Sequence, residues 1–184
     1  MEHTANSVRD WALREGIRIK ILGDLDDHRI PDSSRDALRK LEADSMEKCN
    51  TNTNDDDRQE ESLTLCIAIN YGGRNDIINA SRKLAELIAS GDMTPDDVNS
   101  ETFGNLLCTA GVPDPDLVIR TGGERRLSNF LIWNCAYAEI YFSDVLWPDF
   151  NANELDVAME WYQGRDRRFG GRLKTQGGEQ QSDS

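Results

Sequence analysis

The amino-acid sequence predicts an α/β fold, with a mostly parallel sheet flanked by helices. Three observations carry this. Apolar runs at 17–22, 63–69 and 117–119 alternate with longer stretches of helical period, and such alternation places helices on the faces of a sheet. Two of the runs, Leu63 to Ile69 and Leu117 to Ile119, are apolar almost without interruption, the pattern of strands buried on both faces in a parallel sheet. Gly23-Asp24 follows the first strand, and Asp32 or Ser33 and Asn75 or Asp76 stand where helix caps are needed.

The elements follow in order. Residues 7–15 have a helical period and lead into the first strand, where Ile17, Ile19 and Ile21 alternate with Arg18 and Lys20 before Gly23-Asp24. Leu38 and Leu41 share one face of a helix over 33–48, with Asp32 or Ser33 as its cap after Pro31. The second strand ends at Asn70 to Arg74, which reads as a strand-to-helix turn with glycine at positive φ. Asn75 or Asp76 would then cap a helix over 76–89 carrying Ile77, Ile78, Leu84, Leu87 and Ile88. The third strand opens onto the loop RTGGERRLSN at 120–129, whose Ser128 and Asn129 would cap a helix over 129–136. Leu155, Ala158, Met159 and Tyr162 lie on one face of a last helix over 153–163. Trp133, Trp147 and Phe150 read as core or interface.

Residues 50–61 contain no apolar side chain and 173–184 are rich in Gly, Gln and Ser. Neither can offset the entropy of ordering, so they are expected to be a polar loop and a flexible tail around one domain over 1–172. The acidic stretch Asp56-Asp57-Arg58-Gln59-Glu60 reads as solvated loop rather than a metal motif.

Composition narrows the function classes. With 21 Lys+Arg against 34 Asp+Glu the formal net charge is −13, which argues against nucleic acid as a partner, since phosphate backbones repel acidic surfaces. Cys49, Cys66, Cys108 and Cys135 form no CxxC pair and only His3 and His28 could join them. They are expected to be buried thiols in a reducing compartment rather than a zinc or disulfide framework. No run approaches the roughly 18 apolar residues of a membrane span, and the charged first thirty residues do not read as a secretory leader, so a cytoplasmic location is expected.

On so acidic a chain, the arginine-rich loop at 120–129 stands out. It leaves the carboxyl end of a strand, where ligands gather in open α/β sheets. Gly122-Gly123 would let the backbone turn and offer N–H groups to an anion, Arg120 and Arg126 carry planar forks that match phosphate oxygens, and Ser128 adds a hydroxyl donor. A helix N-terminus just beyond would favour the same charge. The residue types point to a small polyanion such as a diphosphate. Plain surface salt bridges are the alternative.

The segment DLVIRTGGERRLSNFLIWNCAYAEIYFSDVLWPDF at 116–150 resembles the C-terminal motif block of the cis-prenyltransferases, the group that includes undecaprenyl and dehydrodolichyl diphosphate synthases. NYGGRNDI (70–77), IKILGD (19–24) and RDRRFGG (165–171) resemble further blocks of that family in the same order. The resemblance implies that Arg120, Arg126 and Ser128 hold the diphosphate of isopentenyl diphosphate and that Glu139 is a Mg2+ ligand. It also implies that Arg168 and Gly170 reach the diphosphate site of the other subunit in a homodimer. Arg125 stands where many bacterial members have a histidine. Without the resemblance, Glu139 reads as a strand-edge carboxylate.

The reaction implied is Mg2+-dependent, sequential cis-condensation of isopentenyl diphosphate with an allylic diphosphate to a polyprenyl diphosphate, with peripheral membrane contact for the lipid product. The family begins with a strand ending in an Asp-Gly-Asn segment whose aspartate acts on the allylic diphosphate. This sequence contains no such segment. The expectation is therefore that the N-terminal strands are absent, that no catalytic residue lies within this chain, and that it supplies the isopentenyl diphosphate site. A non-catalytic partner subunit is the alternative.

Overall fold

The computed structural model describes residues 2–51 and 63–165. Most of the polar 50–61 loop, the tail, and Arg168 and Gly170 lie outside them. The element order is α1 (Glu2–Glu15), β1 (Arg18–Leu22), α2 (Asp32–Thr51), β2 (Thr64–Ala68), α3 (Gly73–Ser90), α4 (Ser100–Gly104), β3 (Leu117–Arg120), β4 (Glu139–Phe142) and α5 (Ala152–Gln163). The class is α/β, and both strand pairs are parallel. No described helix is long and apolar enough to cross a membrane. The chain divides into two compact units, one of Met1–Pro113 with Ser128–Trp133 and one of Asp114–Leu127 with Asn134 onward.

In the first unit β1 pairs with β2 from Arg18 opposite Thr64 to Leu22 opposite Ala68. The alternation of Ile17, Ile19 and Ile21 turns one row of side chains into a core with Ala12 of α1 and Leu38 and Leu41 of α2. The outer backbone edge of β1 is closed by α2. Ile19 N–H donates to Ser45 Oγ at 2.9 Å and Ile21 N–H to Glu42 Oε1 at 3.1 Å, while Ser45 Oγ donates to the Glu42 carbonyl at 2.8 Å. Ser45 is fully buried. Ser45→Ala leaves the Ile19 N–H buried without an acceptor, and is expected to cost about 1–3 kcal/mol, read as a lower urea midpoint at unchanged m-value.

The strand β2 departs from its sequence pattern. Leu63 is 66% and Leu65 37% exposed, so the strand is not buried on both faces. Double burial needs strand neighbours on both sides and helices on both faces, and among the described residues this sheet has two strands. The β3 residues are likewise half-buried rather than buried.

The helix caps also differ from expectation. The Pro31 carbonyl accepts from the Ser34 and Arg35 N–H groups, each at 3.0 Å, so Asp32 and Ser33 lie inside the first turn of α2. For α3 the cap is Gly72, and Asp76, one turn in, instead accepts from Cys108 N–H at 2.9 Å and Sγ at 3.2 Å. Cys135 is buried and Cys66 and Cys108 are half-buried, all three as free thiols.

In the second unit β3 pairs with β4, from Leu117 opposite Glu139 to Arg120 opposite Phe142. The short strand β4 was not among the predicted runs. Tyr141 of β4 packs on Trp161 of α5 with ring centroids 5.3 Å apart, and Asn151 caps α5 by accepting from Asn153 N–H at 2.9 Å. Trp147 is 75% exposed, with Phe150 stacked on it; Trp133, in the first unit, is 37% exposed. Neither tryptophan is core.

Candidate functional site

The loop leaving β3 turns as its glycines predict, since Gly122 and Gly123 have φ of 86° and 77°. Their amides, however, are not presented to a ligand. Gly122 N–H donates to the Val145 carbonyl at 2.8 Å and Gly123 N–H to that of Ser143 at 2.9 Å, fastening the loop to the segment after β4. What remains cationic is the side chains. Arg120 is half-buried and its Nη1 donates to the Arg126 carbonyl, so one candidate ligand braces the backbone of the other. Arg126 is exposed and paired with Glu124, and Arg125 is exposed. An incoming anion has to displace only an exposed carboxylate, and such surface pairs are worth about 0–1 kcal/mol.

Ser128 belongs to the first unit and does not begin a helix. Ser128, Asn129 and Leu131 have φ of 48°, 68° and 43°, left-handed values that cannot continue into a right-handed helix. The helix predicted over 129–136 is replaced by a short 3-10 turn, Asn134–Tyr137, and no helix N-terminus faces an anion there. Asn129 instead clamps the start of α3, with its carbonyl accepting from Gly73 N–H at 2.7 Å and its Oδ1 from Arg74 N–H at 2.8 Å. This close approach is why residue 73 is glycine: a Cβ there would lie 2.7 Å from Ile132 Cγ1. The positive φ in this turn falls on Asn70, not on a glycine.

Glu139 opens β4 beside Leu117, three positions from the residue opposite Arg120, or about 10 Å along the strand. The structure thus brings Arg120 and Arg126 together and sets Glu139 at the other end of the strand pair. Its carboxylate Oε2 accepts from Arg165 Nε at 3.0 Å. Among the described residues no three His, Cys, Asp or Glu side chains gather to hold a metal. Glu139 also leaves the strand pair on the face opposite Arg120, so the two do not converge on one ion, and a lone carboxylate already paired with a guanidinium is a poor fit for magnesium shared with a diphosphate at the arginine loop.

A cleft of about 480 Å3 lies in the first unit at the carboxyl ends of β1 and β2, lined among others by Asp24, Asn70, Asp76, Arg82, Lys83 and Cys108. Sequence reasoning did not single it out, although Gly23-Asp24 and Asn70 each follow a strand, which is the signal that could have found it. Burial, and then the hydrogen bond and charge of Asp76, push the Cys108 thiol up to about 12, so it stays protonated and is no nucleophile at neutral pH.

The parallel-stranded α/β architecture with an arginine-rich loop at a strand end is matched by the comparisons to a specific family. The family model described as "Putative undecaprenyl diphosphate synthase" matches residues 1–170, and the chain belongs to that family. The isoprenyl transferase of Clostridium perfringens is 43% identical over 158 residues, covering 86% of this chain and 57% of the relative. The ditrans,polycis-undecaprenyl-diphosphate synthase of Salmonella typhi is 43% identical over 169 residues, covering 88% and 62%. Among solved structures, lavandulyl diphosphate synthase from Lavandula x intermedia in complex with dimethylallyl diphosphate superposes with a TM-score of 0.79 at 34% identity, over 92% of this chain and 67% of that one. A probable undecaprenyl diphosphate synthase from Campylobacter jejuni gives 0.68 at 30%, over 91% and 72%. The chain spans about three fifths of the length of these curated relatives.

Proposed function

We propose that this chain serves prenyl transfer, the sequential cis-condensation of isopentenyl diphosphate with an allylic diphosphate to a polyprenyl diphosphate, and that its own part is to hold the isopentenyl diphosphate. The observation that carries this reading is the loop after β3, where Arg120 braces Arg126 at a strand end in a member of the undecaprenyl diphosphate synthase family. In the condensation the isopentenyl double bond attacks the allylic carbon as the allylic diphosphate departs, and a proton is then lost. The diphosphate held by Arg120 and Arg126 is therefore the one that stays on the growing chain. Their task is to fix its position and balance its charge. Magnesium would supply neutralisation of diphosphate charge, but Glu139, at the far end of the strand pair and on its other face, is not placed to hold it beside Arg120 and Arg126. A homodimer in the cytoplasm, touching the membrane to deliver a lipid product, fits the same reading.

The test is calorimetric titration with isopentenyl diphosphate. Arg126→Ala is expected to weaken binding by about 1.5–3 kcal/mol, the range for a charge-assisted bond, and an unchanged affinity would sink the assignment. A second reading is a non-catalytic subunit that supports an active partner. It expects turnover of labelled isopentenyl diphosphate only after mixing with a full-length homologue.

A further inference from the structure

We infer that Ser143 is a positioning residue for the arginine loop at 120–126. The inference rests on the reading of that loop as the holder of a diphosphate. Two successive glycines, Gly122 and Gly123, leave the loop without Cβ atoms to restrict its backbone, so its course has to be set by hydrogen bonds. The segment after β4 supplies them, all within the second unit. Ser143 N–H donates to the Arg120 carbonyl at 2.8 Å, the Ser143 carbonyl accepts from Gly123 N–H at 2.9 Å, and the Val145 carbonyl accepts from Gly122 N–H at 2.8 Å. Ser143 Oγ in turn accepts from Val145 N–H at 3.2 Å.

That side-chain bond closes the frame. It folds Ser143 to Val145 into a tight turn, the local pattern in which a serine hydroxyl holds the backbone N–H two residues on, and the turn aims both carbonyls at the glycine amides. Ser143 is 5% exposed, so water does not readily take the place of its hydroxyl. The anchored amides lie between Arg120 and Arg126, whose own link is the bond from Arg120 Nη1 to the Arg126 carbonyl. A loop already held in one course loses less conformational freedom when an anion takes both guanidinium groups. Ser143 touches no ligand in this role and acts through the backbone that carries the arginines.

The test titrates the whole chain with isopentenyl diphosphate by calorimetry, at a temperature where circular dichroism shows each variant fully folded, so that lost stability alone leaves the affinity unmoved. Ser143→Thr and Ser143→Val introduce side chains of one outline that differ in the hydroxyl. Ser143→Val is expected to bind about 3–10-fold more weakly than Ser143→Thr, the weight of one hydrogen bond. Ser143→Ala should fall with Ser143→Val, and replaces it in the comparison if Ser143→Val does not fold. In an Arg126→Ala background the gap between the two variants should shrink to about twofold or less, because the frame then has one guanidinium fewer to aim. Equal affinities with and without the hydroxyl, or a gap that Arg126→Ala leaves unchanged, would overturn the positioning role. If Arg120→Ala and Arg126→Ala both bind as tightly as the parent chain, the loop is no diphosphate site and this proposal falls with that reading. A loss in Arg126→Ala beside equal affinities of Ser143→Thr and Ser143→Val overturns the positioning role alone.

Discussion

Gly23→Ala is expected to destabilise the protein by about 2–6 kcal/mol, combining about 1–3 for backbone strain with about 1–3 for overpacking. Gly23 has φ of 121°, outside even the small left-handed region that L-residues tolerate. A Cβ there would lie 2.1 Å from the Ile69 carbonyl oxygen and 3.1 Å from Tyr71 N. Both obstacles are backbone, and Ile69 N–H itself donates to the Leu22 carbonyl at 2.9 Å, so relief of the clash pulls apart the last rung of the β1–β2 ladder. Gly16→Ala is the control. Its φ is 67° with nothing within 4 Å of the added methyl, and only the modest left-handed penalty applies, about 1–2 kcal/mol. Urea denaturation followed by circular dichroism distinguishes the two. A Gly23→Ala midpoint no lower than that of Gly16→Ala would show that the strand end yields to the methyl without cost.

The apolar runs gave β1, β2 and β3 to within a residue or two, because side-chain period is a local property. The period of α3 is legible but its start is not, because Asp76 has the sequence of a cap and is drawn by Cys108, 32 residues away, in space. Ser128 and Asn129 suit a helix start in sequence for a related reason: asparagine favours both caps and left-handed turns, and here the clamp of Asn129 on Gly73 and Arg74 decides for the turn. Of the candidate site, the paired arginines were legible as an unexpected cationic cluster on an acidic chain. The destination of the Gly122 and Gly123 amides was not, because their acceptors lie beyond β4. Nor was the partner of Glu139, since Arg165 reaches it only through the packing of Trp161 on Tyr141.

Arg120→Ala should have the larger effect of the two arginine substitutions, lowering affinity for isopentenyl diphosphate by about 30–1,000-fold, or about 2–4 kcal/mol. Arg126 is exposed and already shares its charge with Glu124, so part of its attraction for an anion is spent before binding. Arg120 is half-buried at the end of β3, where its carbonyl accepts from Ser143 N–H at 2.8 Å and its guanidinium holds the Arg126 carbonyl. Removing it deletes one cation in a partly desolvated place, where charge counts for more, and frees the backbone that aims the second. Arg120→Lys keeps the charge without the fork that reaches both a phosphate and a carbonyl, and an intermediate loss of about tenfold is expected. Glu124→Gln should act in the opposite sense, tightening binding a few-fold by releasing Arg126 from its competitor, and this gain should shrink as salt is raised. Circular dichroism of Arg120→Ala checks that the strand pair survives. With the fold intact, an affinity equal to that of the parent chain would mean that the loop only decorates the strand end and that the anion is held elsewhere.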